Sequence, residues 1–182
     1  RHFDGLSAGT GDMTGDQLQQ LLNGTRFGDG FSPELLEHLA GHARPGDFPP
    51  GMILFREGEV VHELHIVTAG RVALEMRVPG RGSVRLITVG RNELLAWSAF
   101  LRGGRMTATA IVLEPTQTVV LDALQLRDAC ERNHELGYQV LWKIAQGLSE
   151  RLVNTRLQLL DLFAAPGTTK IPTPAALPSE KG

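Results

Sequence analysis

The residues of this chain that could do chemistry are few and scattered. His38 and His42 stand four apart, the spacing that sets two imidazoles on one helical face as metal ligands need. Gly41 interrupts that turn, and no third ligand lies nearby in the sequence. His62 and His65 are three apart, which puts them on opposite faces of a strand. Both pairs are expected to be structural or solvent-facing rather than metal-bound. Cys130 is the one cysteine. It has no His and acid placed with it, so it reads as a small packing residue rather than a nucleophile. A single Cys also excludes an internal disulfide, a four-Cys iron–sulfur centre and a Cys-rich zinc site, and it fits a cytoplasmic compartment. Ser98 lacks the Gly-x-Ser-x-Gly frame of an esterase. No phosphate loop or dinucleotide fingerprint occurs. The chain is therefore expected not to be an enzyme.

Charge offers one further feature. Between Arg71 and Arg105 there are seven arginines (71, 77, 81, 85, 91, 102 and 105) against two acids, Glu75 and Glu93. A solvated sheet face explains that surplus most simply, and an anion site is the sharper alternative. The whole chain carries a formal charge of −2, which argues against a domain built to grip nucleic acid.

The elements that must position these residues follow from pattern. A chain of 182 residues, 42% hydrophobic and 21% charged, has the balance of one globular domain with tails. No run of about 18 apolar residues suits a membrane span. The start, Arg1-His2-Phe3, has neither an apolar leader nor an initiator Met, which suggests an excised or processed chain without a signal peptide. Residues 1–31 are rich in Gly, Asp, Ser and Thr and are expected to be a flexible segment, with a helical turn or two at Leu18, Leu21 and Leu22. Ser32-Pro33-Glu34 begins a helix: a capping hydroxyl, a proline suited to the first turn, and an acid at the positive end. Leu35, Leu36 and Leu39 give it an apolar face, and Gly41 stops it.

From Gly46 to Ala123 short apolar or alternating runs are separated by turns: Met52–Phe55, Glu63–Val67, Arg71–Val78, Val84–Val89, Thr107–Leu113 and Thr118–Leu121. In Arg71–Val78 the residues Val72, Leu74, Met76 and Val78 share one face, as in a half-buried strand. Such spacing predicts a sandwich or small barrel. Gly51 and Gly70 fall between strands, where tight turns need positive φ. After Asp122, a capping residue with Gln125 three places on, the period becomes helical, and Asn133 caps a second start. His134–Phe163 is one long helical pattern with a seven-residue repeat. Leu141, Leu148, Thr155 and Leu162 form one column, and Ala145, Leu152 and Leu159 the other. The first half of this stripe is expected to pack on the β-structure and the second half on another copy of the chain, giving a homodimer through Leu141, Leu148, Leu152 and Leu159. The end, residues 165–182, holds four prolines and is expected to be a disordered Pro-rich tail.

The order helix, roll, short helix inside the roll and long terminal helix resembles the cyclic nucleotide-binding domain family, which includes the bacterial catabolite activators and the regulatory subunits of cyclic-nucleotide-dependent kinases. The residues carrying the resemblance are Gly51-Met-Ile-Leu-Phe-Arg-Glu-Gly58, Glu63-Leu-His-Ile-Val-Thr-Ala-Gly70-Arg-Val72, Leu86-Ile-Thr-Val-Gly90, Glu93-Leu-Leu-Ala-Trp-Ser-Ala-Phe100 and Met106-Thr-Ala-Thr109. The resemblance implies a mainly β fold with flanking α-helices: a double-stranded β-helix, or jelly roll, with an N-terminal helix and a long C-terminal one, over residues 32–164. It also implies a sensor in which a bound ligand moves the short helix and the terminal helices change angle.

In that family one cassette holds the ligand. A short helix offers N–H groups to the cyclic phosphate, a Glu accepts from the ribose hydroxyl, and an Arg grips the phosphate. Aligned without gaps, this chain places Ala96 over the family's Gly, Trp97 over the Glu and Met106 over the Arg, with Ser98, Ala99 and Thr107 between and beside them. Indole has one donor and no acceptor, and a thioether has no charge. Three readings stand open: a degenerate pocket filled by Trp97 and Met106; a pocket remodelled for another small molecule, using Trp97, Ser98, Thr107 and the N–H groups near Ser98 and Ala99; and a cyclic AMP or cyclic GMP site rescued by Arg105 or Arg102. Strand alternation sets Arg105 opposite to Met106, so rescue needs a bulge. Trp97 and Met106 are expected to face inward and Arg105 outward. Too few residues follow the long helix for the family's DNA-reading module, so DNA binding by this chain alone is not expected; a partner protein or a larger parent chain is the other association the sequence allows.

Overall fold

A computed structural model describes residues 13–101 and 103–164. The elements in chain order are α1 (Gly15–Asn23), α2 (Pro33–Ala40), β1 (Ala43–Phe48), β2 (Ile53–Phe55), β3 (Glu63–Ala69), β4 (Val72–Val78), β5 (Gly82–Val89), β6 (Leu94–Leu95), a single 3₁₀ turn (Trp97–Ala99), β7 (Thr109–Val112), β8 (Thr116–Asp122), α3 (Ala123–Arg132) and α4 (His134–Ala164). The chain divides into two units, Arg1–Leu148 and Ser149–Gly182. The boundary falls within the residues expected to form one domain.

Two four-stranded antiparallel sheets make the roll of the first unit, in the orders β1-β8-β3-β6 and β2-β7-β4-β5. The mainly β jelly-roll fold with flanking helices is thus present. Alternation along the strands separates two cores. One face of the first sheet gives Leu64, Ile66, Leu94, Val119 and Leu121 to a cluster that also holds residues of all four helices, among them Leu22, Leu36, Leu126, Leu136, Val140 and Ile144. The roll encloses a second cluster around Phe55, Val67, Val72, Leu74, Val89, Leu95, Ala99, Met106, Ala110 and Val112. In β4 the expected one-sided alternation gives way at the start, where Val72, Ala73 and Leu74 are all buried.

The helix ends form as their sequences dictate. Ser32 accepts from the Leu35 N–H with Pro33 in the first turn, Asp122 accepts from the N–H groups of Leu124 and Gln125, and Asn133 accepts from Leu136. The N-terminal region departs from expectation. Thr14 and Gln17 form a reciprocal capping box on α1, and Leu18, Leu22, Phe27 and Phe31 are buried in the helical cluster. Residues 13–31 are therefore packed rather than flexible. The expectations for residues 1–12 and for the 165–182 tail lie outside the described residues. A second departure concerns α4. The stripe that packs inward is Leu136, Val140 and Ile144, with Leu148 partly buried, whereas the seam residues Leu141 and Ala145 are exposed.

Both inter-strand glycines have positive φ, +83° at Gly51 and +86° at Gly70, but their surroundings differ. An added Cβ at Gly51 meets nothing within 4 Å, whereas at Gly70 it would run into Thr116 and the Pro115 carbonyl. Gly51→Ala is expected to cost only the left-handed backbone, about 1–2 kcal/mol. Gly70→Ala should cost clearly more, with a correspondingly lower midpoint in urea unfolding. Equal midpoints for the two variants would contradict the close approach of the β7–β8 turn to Gly70.

Candidate functional site

The cassette is built on the strand-to-turn segment that follows β5. β6 pairs with β3 through His65–Leu95 and Ile66–Leu94. At Ala96 the chain then turns sharply, with φ 58° and ψ 30°, a left-handed conformation that a non-glycine residue adopts at some cost. Ala96 thus occupies a backbone position suited to glycine. The Ala99 N–H donates to the Ala96 carbonyl at 2.8 Å and the Phe100 N–H to that of Trp97 at 3.1 Å. The Ala99 N–H is therefore spent on closing the turn, which corrects the expectation that it is available to an anion. Ser98 is half-buried and Thr107 exposed.

The segment 94–100 divides its side chains between the two cores. Leu94, Trp97 and Phe100 pack with the helical cluster, and Leu95, Ala96 and Ala99 with the cluster inside the roll. Trp97 is only partly buried. It is a packing aromatic on the helix side, which differs from the inward position inside the roll that the degenerate-pocket reading gave it. The reason is the tight turn after Ala96, where a three-residue period replaces strand alternation.

Met106 and Arg105 part company as alternation requires. Met106 is 3% exposed, inside the roll with Ala99, Ala108 and Phe55. Arg105 is exposed, and its Nη1 donates to the Gly58 carbonyl at 2.7 Å. No bulge brings it in. The loop after β2 is stitched to this segment by backbone bonds: Gly58 N–H to the Met106 carbonyl at 2.8 Å, Met106 N–H to Glu59 at 2.8 Å and Val61 N–H to Gly104 at 3.2 Å. The Glu57 N–H donates to Thr109 Oγ1, while its carboxylate accepts from the Arg77 N–H. Sequence reasoning did not assign these loop roles to Glu57, Gly58 and Glu59. The Arg-Glu-Gly turn was their one legible signal. Arg102 lies outside the described residues.

The other candidates separate cleanly. His38 and His42 meet edge to face with ring centroids 6.4 Å apart, and His42 Nδ1 lies 3.2 Å from Gln125 Oε1. His65 is buried and His62 exposed. No group of three His, Cys, Asp or Glu side chains among the described residues could hold a metal ion. Cys130 is half-buried, and burial pushes its thiol up to about 11, the opposite of nucleophile activation. Arg71, first in the arginine-rich stretch, is held bidentately by Glu114 at 3.0 and 3.2 Å, and Arg85 meets Glu75 at 3.4 Å. Part of that surplus is therefore neutralised locally on the sheet surface. No described helix is long and apolar enough to cross a membrane. Of the seam residues, Leu141 and Leu152 are exposed and Leu148 is partly buried; the Leu159 side chain lies outside the described residues.

Comparison with known proteins adds family and fold. Residues 45–133 match the model of the cyclic nucleotide-binding domain. The chain is 26% identical over 146 residues to the CRP-like cAMP-activated global transcriptional regulator of Mycobacterium tuberculosis, covering 80% of this chain and 63% of that protein. It is 28% identical over 152 residues to the acetyltransferase Pat of Mycolicibacterium smegmatis, covering 84% of this chain and 41% of the enzyme. It therefore spans under two thirds of the length of these curated relatives. A cyclic nucleotide-binding domain from Methylobacillus flagellatus superposes with a TM-score of 0.70 at 20% identity, over 86% of each chain, and shares the fold. With two packed sheets and a tight turn leading into the cassette, residues 45–133 of this chain match the cyclic nucleotide-binding domain family and share its fold.

Proposed function

We propose that this chain is a non-enzymatic regulatory domain whose cassette no longer has the chemistry to hold a cyclic nucleotide, and that it works as a homodimer through α4. The single observation that carries the first half is Met106. It stands where the family's phosphate-gripping Arg aligns, and it fills the roll as core. The neighbouring guanidinium is turned outward and occupied by the Gly58 carbonyl. At the position of the family's ribose-binding Glu, Trp97 supplies packing and no acceptor. A cyclic phosphate placed here would be desolvated without a countercharge, which is strongly unfavourable.

Regulation is supported by how the cassette is connected. Leu94 and Trp97 lie in the same cluster as Val140 and Ile144, with Leu148 packed against it, so displacement of the cassette turn would press directly on the long helix. The homodimer is supported by α4 itself. Leu141 is 52% exposed while Leu136, Val140 and Ile144 are buried, and Leu152 is likewise 52% exposed. Leu141 and Leu152 recur at the spacing of a coiled-coil seam. Burial raises the Cys130 thiol, which makes it a poor nucleophile.

Isothermal calorimetry with cyclic AMP and cyclic GMP tests the cassette. No saturable binding tighter than about 10 μM, near −7 kcal/mol, is expected. Tighter binding of either nucleotide would overturn the reading and return Arg105 to the site, in line with the cAMP-activated relative. In urea unfolding, Met106→Ala is expected to cost about 2–5 kcal/mol as a large-to-small core change, and Arg105→Ala about 1 kcal/mol or less. The reverse order would place the guanidinium, not the thioether, inside. Leu152→Glu is expected to convert a dimer into a monomer in sedimentation velocity; an unchanged profile refutes the α4 seam.

A further inference from the structure

One buried titratable group has no part in the cassette. His65, in the middle of β3, is 3% exposed. Its Nδ1 is 3.4 Å from Thr118 Oγ1, and the Phe48 ring meets it edge-on with centroids 5.7 Å apart. Its Nε2 lies 3.9 Å from Glu63 Oε2, while the other oxygen of that carboxylate accepts from Arg44 at 2.7 Å. Arg44 on β1 and His65 on β3 both pair with Val120 of the strand between them. Arg44, Glu63 and His65 thus form a chain of charged and chargeable groups reaching across three strands. We propose that this chain is an acid-operated latch: when His65 takes up a proton, Glu63 transfers its allegiance from Arg44 to His65, and edge strand β1 loses its Arg44–Glu63 tie to β3.

The balance of forces favours the exchange. The Arg44 and Glu63 side chains are 56% and 45% exposed, so their pair is weakly held and either group can turn to water. An imidazolium at His65 has no such recourse and needs a counterion within the protein. At 3.9 Å Glu63 is too distant for a hydrogen bond to His65, and closing that gap competes with the Arg44 contact on the same carboxylate. The charged groups acting on His65 are Glu63 on its own strand, which favours protonation, and Arg44 from β1, which opposes it. Phe48 and Thr118 touch it from β1 and β8, and Val120 and Leu95 pair with it in register; none of these titrates. Burial is the largest influence and pushes His65 down from 6.5 to about 4. A depressed folded-state value means that the unfolded chain binds this proton first as pH falls. The stability from neutral His65 is complete above about 6.5 and is lost progressively toward 4.

Two measurements on the full chain test the latch. In NMR titration from pH 7 to 3.5, the Arg44 guanidinium signals are expected to shift with the midpoint of the His65 ring, and that shift is expected to disappear in His65→Gln. A His65 ring titrating near 6.5, or an Arg44 signal that ignores the His65 transition or keeps its shift in His65→Gln, would overturn the proposal. In urea unfolding, acidification from pH 7 to 4.5 should raise the unfolding equilibrium constant about 10- to 100-fold more for the native chain than for His65→Gln. Should His65→Gln fail to fold, the partners decide. Glu63→Gln is expected to lower the pH at which His65 titrates and Arg44→Ala to raise it; identical midpoints in both would refute the coupling.

Discussion

The structure depends on one short stretch of chain serving two cores at once. Leu94, Trp97 and Phe100 anchor the helical layer, and Leu95, Ala96 and Ala99 close the roll. Interiors pack densely enough that a shift of one such side chain is felt by its neighbours. The segment cannot yield on one side without disturbing the other. A change on the roll side of this segment is therefore felt on its helix side. Here Ala96 holds a left-handed turn that glycine would adopt without strain.

Much of this was legible in the sequence, and what was missed has physical causes. The strand runs from Met52 to Leu121 announced themselves by alternation and by glycines at the turns. β1 did not, because Arg44-Pro45-Gly46 carries two strand breakers. Proline is tolerated there because β1 is the edge of its sheet. Gly46 is required where Phe48 and Val120 crowd within 3 Å of a would-be Cβ. Residues 13–31 resembled a linker because their four core residues, Leu18, Leu22, Phe27 and Phe31, are diluted by Gly, Asp and Thr. Their burial comes from docking onto the other helices rather than from local periodicity.

The cassette was legible in its residue types but not in its directions. Opposite faces for Arg105 and Met106 followed from strand alternation alone. The side taken by Trp97 did not, because a left-handed residue followed by a 3₁₀ turn resets the phase of the chain in a way that no two-fold or 3.6-fold period foretells. The seam on α4 shows a similar limit. The seven-residue repeat identified an apolar face, but the helix carries a second, inward face at Leu136, Val140 and Ile144, and only packing reveals which of the two the roll uses.

The two tryptophans give the molecule a pair of native optical reporters. Trp97 sits half-shielded against the helical layer, whereas Trp142 is 53% exposed and stacks on Tyr138 with ring centroids 6.3 Å apart. Their indoles sample different polarity, so aqueous quenchers reach them unequally. Emission from this chain is therefore a composite in which the core-facing and solvent-facing components can be told apart without any attached dye.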